Sequence, residues 1–124
     1  MVKIRTHHQV WPNKKRVILT CPSGSALLEI FPEPDAEYGY DGYFWGLYVD
    51  EPARRKGYAK ALLHAAEEWA KAYGVKCLGL EWNAKECPSD IHRWYEREGF
   101  EDKEFTPLVS ALMIKRLTTK DNDQ

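Results

Sequence analysis

The chain lacks an apolar run long enough to span a bilayer, and its N-terminus lacks a signal-like leader. These absences argue against a membrane role and favour a soluble cytoplasmic protein. Charge of one sign is also missing. Eighteen Lys and Arg against 19 Asp and Glu leave a formal net charge of −1, whereas a general nucleic-acid binder normally carries a large basic surplus. Cysteine is scarce: Cys21, Cys77 and Cys87 are odd in number and show no CxxC spacing. That pattern argues against a disulfide framework and against a zinc site, so reduced thiols and no metal are expected. No internal repeat or low-complexity tract appears, and only the polar tail Thr118 to Gln124 reads as disordered. What is present suits one domain over residues 1–117. With 44% hydrophobic and 13% aromatic residues in 124, the chain buries about two-thirds of the surface its unfolded form exposes.

The N-terminal third reads as strands. Val2, Ile4 and Thr6 alternate loosely as an edge strand, and Trp11-Pro12-Asn13 is a turn signal. His7 and His8 are adjacent, so on a strand they point to opposite faces and do not share an ion. Lys15 to Cys21 is a strand closed by Pro22-Ser23-Gly24, and Ser25 to Phe31 is its antiparallel partner. Pro32, Pro34, Gly39 and Gly42 mark a loop that carries Glu33, Asp35 and Glu37. The bland reading of those acids is a solvated loop.

The centre is more specific. Tyr43 to Val49 has aromatic and β-branched strand character, Asp50-Glu51-Pro52 punctuates it, and helical spacing then links Tyr58, Ala61, Leu62, Ala65, Trp69, Ala72 and Tyr73 up to Gly74. No Ser, Thr, Asp or Asn opens this helix; Arg54, Arg55, Lys56 and Gly57 do. Its first N–H groups and the positive end of its dipole therefore call for an outside anion such as a phosphate. No Gly-Lys-Ser/Thr follows the turn, which argues against a nucleoside-triphosphate loop. Val75 to Trp82 reads as a buried strand with Glu81 on the face of Cys77 and Gly79. The strand–helix–strand length predicts that it runs parallel to Tyr43–Val49. Ser89 is expected to cap a short helix with Ile91, Trp94 and Tyr95 at helical spacing, before a closing antiparallel pair, Phe100 to Phe105 and Leu108 to Leu117.

Arg54-x-x-Gly57-x-Ala59, five residues after Val49, resembles the acyl-CoA pyrophosphate loop of the GCN5-related N-acetyltransferases (GNAT). Trp94-Tyr95-Glu96-Arg97-Glu98-Gly99-Phe100 is similar to a second segment of that family, and the two in order cover Tyr43 to Leu117. The resemblance implies an α/β (α+β) fold: a GNAT-like mixed, mostly antiparallel sheet with a central parallel strand pair joined by a helix, and a second short helix. It implies acetyl-CoA as co-substrate and a primary amine as acceptor. Arg54, Arg55, Lys56, Gly57, Tyr58, Ala59 and Lys60 would hold the pyrophosphate, and Leu47, Tyr48 and Val49 the pantetheine arm. Tyr95 falls at the family's proton-donor position, its alternative being a packing role beside Ile91 and Trp94. Glu81 is read either as general base or as a strand-end carboxylate paired with a cation. In the family, the loop opposite the cofactor helps hold the acceptor, so the acids of the 32–42 loop fit a cationic substrate. Family members usually begin with a strand and two helices, whereas the residues before Tyr43 read as a hairpin; a homodimer that completes the acceptor site is the resulting expectation. A catalytically silent acyl-CoA-binding module and a protein-interaction domain on the same fold are the rival readings.

Overall fold

The computed structural model describes residues 2–85, 87 and 89–117; the tail expected to be disordered, 118–124, lies outside the described residues. Chain order begins with strands β1 (Arg5–Trp11), β2 (Lys14–Cys21), β3 (Gly24–Ile30) and β4 (Gly42–Val49). A 3-10 turn, Glu51–Ala53, leads to helix α1 (Tyr58–Ala72) and strand β5 (Cys77–Asn83). Helix α2 (Ser89–Arg97) and strands β6 (Glu101–Thr106) and β7 (Ser110–Arg116) complete it. The described strands form one sheet in the order β1-β2-β3-β4-β5-β7-β6. Every neighbouring pair is antiparallel except β4 and β5, the parallel pair predicted from the crossover. No helix among the described residues is long and apolar enough to cross a membrane.

Period-two alternation sorts the strand residues between two faces. Val17, Leu19, Ala26, Leu28, Phe44, Leu78, Leu80, Trp82 and Met113 are buried in one cluster with Leu62, Leu63, Ala66 and Ala70 of α1 and with Tyr95 of α2. Each large aliphatic side chain buried this way contributes about 1.5–3 kcal/mol before entropy is counted. The opposite face carries Arg16, Glu29, Tyr43, Trp45, Gly79 and Glu81, which follow from the register Arg16↔Glu29↔Tyr43↔Gly79.

Several boundaries differ from the sequence expectation for local reasons. β5 begins at Cys77 rather than Val75: the Val75 N–H donates to Ala70 O and closes α1, and the Lys76 N–H donates to the Asp41 carboxylate. β7 begins at Ser110 rather than Leu108, because the Val109 N–H donates to Thr106 O in the hairpin turn, with Leu108 at φ +64°. β6 starts at Glu101 rather than Phe100, whose N–H donates to Tyr95 O and finishes α2. Ser89 is the first helical residue of α2 instead of a cap ahead of it. β1 runs Arg5–Trp11, later than the alternation of Val2, Ile4 and Thr6 suggested. α1 also buries a rotated stripe: Leu62, Leu63, Ala66, Glu67 and Ala70 face inward, while Trp69 and Ala72 lie at the rim. The helix packs over β2, β3 and β4, and Trp69 and Tyr73 meet the ring of His8 on the edge strand, with Lys15 of β2 also over the Tyr73 ring.

Candidate active site

β4 and β5 pair at only two positions, Gly42↔Leu78 and Tyr43↔Gly79. Beyond Tyr43 the ladder stops; the rest of β4 pairs only with β3, and β5 pairs onward with β7. A one-residue bulge lies in the β3–β4 register, where Leu27↔Trp45 is followed by Ser25↔Tyr48 across Gly46 at φ +66°. A bulge of this kind bends its strand. Leu47, Tyr48 and Val49 lie past that bend, where β4 has no partner on its β5 side.

The turn at the end of β4 is tied down on one side and open on the other. The Asp50 N–H donates to Ser23 O, the Arg54 N–H to Glu51 O, and Arg54 Nε to Val49 O at 3.0 Å. Arg55 then adopts φ +67° and Gly57 φ +87°, so two left-handed residues flank Lys56. At Gly57 nothing lies within 4 Å of where a Cβ would sit; glycine is needed there for the conformation and for open space, not to avoid a clash. Gly57 is the N-cap of α1 and offers no side-chain cap. Among the described residues no acceptor is present for the N–H groups of Arg55, Lys56, Gly57, Tyr58, Ala59 or Lys60; the first satisfied amide is that of Ala61, which donates to Gly57 O. Successive free amides at a helix start, with left-handed residues among them, form a concave donor array suited to an anion. Arg54, Arg55 and Lys56 are exposed around it, and Lys60 lies 4.0 Å from Glu98.

Tyr95 is only 6% exposed, with its ring 5.1 Å from Trp94 and 6.0 Å from Phe100. Its hydroxyl hydrogen-bonds none of the described residues. Since no buried side-chain N or O among the described residues lacks a partner, that oxygen reaches solvent. Burial pushes the phenol well above its ordinary value, helped by the neighbouring Cys87 thiol and Tyr43 phenol. Tyr43 is itself pushed up to about 12 by burial, then by Glu81 and Tyr40. The fold thus brings Glu81, Tyr43 and Tyr95 into one electrostatic neighbourhood from three separate elements. Glu81 is exposed and forms no ion pair among the described residues, which leaves the paired-carboxylate reading without its cation.

Two features were not anticipated from sequence. His92 is held between the Trp82 and Phe105 rings and donates from Nε2 to the Asp102 carboxylate, 2.8 Å away, with Glu96 at 3.6 Å from Nδ1. These three side chains could hold a metal ion; the i, i+4 pair on α2 was visible in the sequence, but Asp102 arrives only through the fold. Tyr38 donates to the Glu104 carboxylate, so the 31–41 loop crosses the face that carries Glu81 and ties to β6.

The sequence profile described as "Acetyltransferase (GNAT) family" matches residues 9–100. The chain is 31% identical over 114 residues to an uncharacterized N-acetyltransferase, YycN, of Bacillus subtilis (strain 168). That match covers 90% of this chain and 63% of the relative's length. Among solved structures, the ribosomal-protein-S18-alanine N-acetyltransferase of Escherichia coli superposes with a TM-score of 0.65 at 17% identity, covering 93% of this chain and 76% of that one. The PaiA N-acetyltransferase of Thermoplasma acidophilum, in complex with coenzyme A, gives 0.63 at 20% identity, covering 82% and 59%.

Proposed function

From membership of the GNAT acetyltransferase family, to which this chain belongs, we propose that the protein transfers an acetyl group from acetyl-CoA to a primary amine. The observation that carries the reading is the row of six acceptor-free amides between β4 and α1. A diphosphate supplies both the acceptors and the negative charge that this helix start lacks. In this reading Arg54, Arg55, Lys56 and Lys60 add positive charge, and the unpaired β4 edge at Leu47–Val49 pairs with the amide-bearing arm of the cofactor as an added strand would. The coenzyme A complex of the Thermoplasma acidophilum protein supports the same ligand for this fold.

The reaction is direct. The neutral amine attacks the thioester carbonyl carbon, the C–N bond forms, and the C–S bond breaks as the thiolate departs. Tyr95 gives that sulfur its proton, and the amine's surplus proton passes to Glu81 or to water. The importance of a base depends on the acceptor: an amine of pKa about 10.4 is neutral only about once in 2,500 molecules at pH 7. Since no helix among the described residues covers Trp45, 42% exposed, on the face opposite α1, we extend the proposal to a homodimer that completes the acceptor side. Light scattering should then return twice the chain mass. The cytoplasm, where acetyl-CoA is available, is the proposed site of action.

A thermal shift with CoA tests the central claim. Ligand at 100 times its dissociation constant adds about 2.7 kcal/mol to stability, a rise of several degrees in Tm. No rise with CoA would remove the proposal. A rise with CoA but no acetyl-CoA consumption against any amine would leave the catalytically silent binding module.

A further inference from the structure

We infer that Glu98 is a positioning residue for the proposed reaction: by holding His64 and Lys60 of α1, it registers the helix that carries Tyr95 against the helix that opens with the acceptor-free amides. The inference rests on the acetyltransferase reading and adds a residue which that reading does not use. Glu98 directly follows α2, and its N–H donates to Trp94 O and Tyr95 O, so it belongs to the closing turn of the helix that bears the phenol. Its side chain is only 12% exposed. A carboxylate so far out of water needs polar partners. It finds them on the neighbouring helix: His64 Nε2 donates to Oε1 at 2.7 Å, and Lys60 Nζ lies 4.0 Å from Oε2. Lys60 and His64 stand at i and i+4, neighbours on one face of α1, so a single carboxylate spans a turn of that helix.

No other hydrogen bond or ion pair among the described residues joins α1 to residues 89–98. One turn further along α1, Glu67 accepts from Lys115 Nζ at 3.1 Å, and that ammonium lies 5.8 Å from the Phe100 ring centre. Phe100 donates its N–H to Tyr95 O and meets the Tyr95 ring edge-on at 6.0 Å. The Glu67–Lys115 pair therefore anchors β7 beneath this corner, and Glu98 alone ties helix to helix. Its two partners hold it unequally. The His64 bond to an ionised acceptor is short and charge-assisted, whereas an exposed lysine at 4.0 Å adds little. Lys60 also carries the last of the six acceptor-free amides. Its ammonium can thus turn to a diphosphate while His64 keeps α2, and with it Tyr95, in place.

The test compares wild type with Glu98→Ala, Glu98→Gln and His64→Ala by acetyl-CoA turnover, by calorimetric titration of CoA, and by fluorine NMR of fluorotyrosine-labelled protein. The Tyr95 resonance is assigned by its loss in Tyr95→Phe. Glu98→Ala and His64→Ala should each lower kcat about tenfold, within the roughly 100-fold that a small misplacement can cost. Because they cut the same link, the double variant should lose no more than either alone. CoA affinity in the Glu98 variants should hold or rise by up to about fivefold, since Lys60 loses a competing carboxylate. Glu98→Gln keeps an acceptor for the His64 N–H, so its kcat should stay within about twofold of wild type. The Tyr95 resonance should shift in Glu98→Ala and His64→Ala and stay near its wild-type position in Glu98→Gln. An unchanged kcat or an unchanged Tyr95 resonance in Glu98→Ala, or a CoA affinity that falls in step with kcat, would overturn the inference. A wild type that acetylates no amine, with the resonance shifting as expected, would instead count against the acetyltransferase reading alone.

Discussion

A phenol enclosed like that of Tyr95 stays neutral at every pH below its raised value, so it remains a proton donor where an ordinary tyrosine would begin to ionise. In the proposed reaction the donor is then lost only as pH rises through a value above the usual 10 or so. The pH profile of kcat should therefore show no alkaline fall from this group below pH about 10. Replacing Tyr95 with Phe should lower kcat by about 100-fold, the low end for a general acid, and leave CoA affinity nearly unchanged. An equal loss of CoA affinity would mean that Tyr95 serves mainly to pack α2. Glu29 titrates at the other end of the scale. Burial pushes it up, but hydrogen bonds and charge from Arg16 and Lys14 outweigh burial and hold its carboxyl below the usual range. Its contribution to stability is complete above the unfolded carboxylate value of about 4.3 and is lost as pH falls through the lower folded value. Thermal melts between pH 5 and pH 3 should show that loss, and it should be smaller in Glu29→Gln.

At the level of elements, the start of α1 is the most sensitive point. Gly57→Ala meets no neighbour but forces a non-glycine residue to φ +87°, a strain of about 1–2 kcal/mol. Tm should drop by several degrees and CoA should bind more weakly, since the methyl group intrudes where the anion approaches. An unchanged CoA affinity would show that the ligand does not sit over Gly57. This element was legible because a basic, uncapped helix start is a local pattern, and so were the β2–β3 hairpin, the parallel crossover and the face of Glu81. Other features were hidden because they depend on partners far away in sequence. The stripe predicted for α1 from Tyr58, Ala61 and Trp69 was off by part of a turn, since which residues go inward depends on where the helix lies across β2, β3 and β4. The bond from Tyr38 to Glu104 joins residues 66 apart, and the neighbourhood of Glu81, Tyr43 and Tyr95 exists only after β4, β5 and α2 converge.

On the scale of the whole molecule, the sheet has unequal coverage. One face is closed by α1 and α2 around a continuous apolar cluster, while the other has the 31–41 loop over its β5–β6 half and Trp11 and Trp45 around Arg16 on the rest. The β4–β5 ladder holds two rungs, Gly42↔Leu78 and Tyr43↔Gly79. Among the described residues it is reinforced only at that same end by Asp41, whose N–H donates to Cys77 O and whose carboxylate accepts from the Lys76 and Cys77 N–H groups. Such a narrow join acts as a fulcrum. The six residues of β4 beyond it make an arm of about 20 Å at roughly 3.3 Å per residue. A rotation of about 5° at the rungs would move the far tip by about 1.7 Å over that length. Small changes in packing beneath Gly42, where Val75 already presses close, can thus set how widely the cleft gapes without altering any residue that lines it.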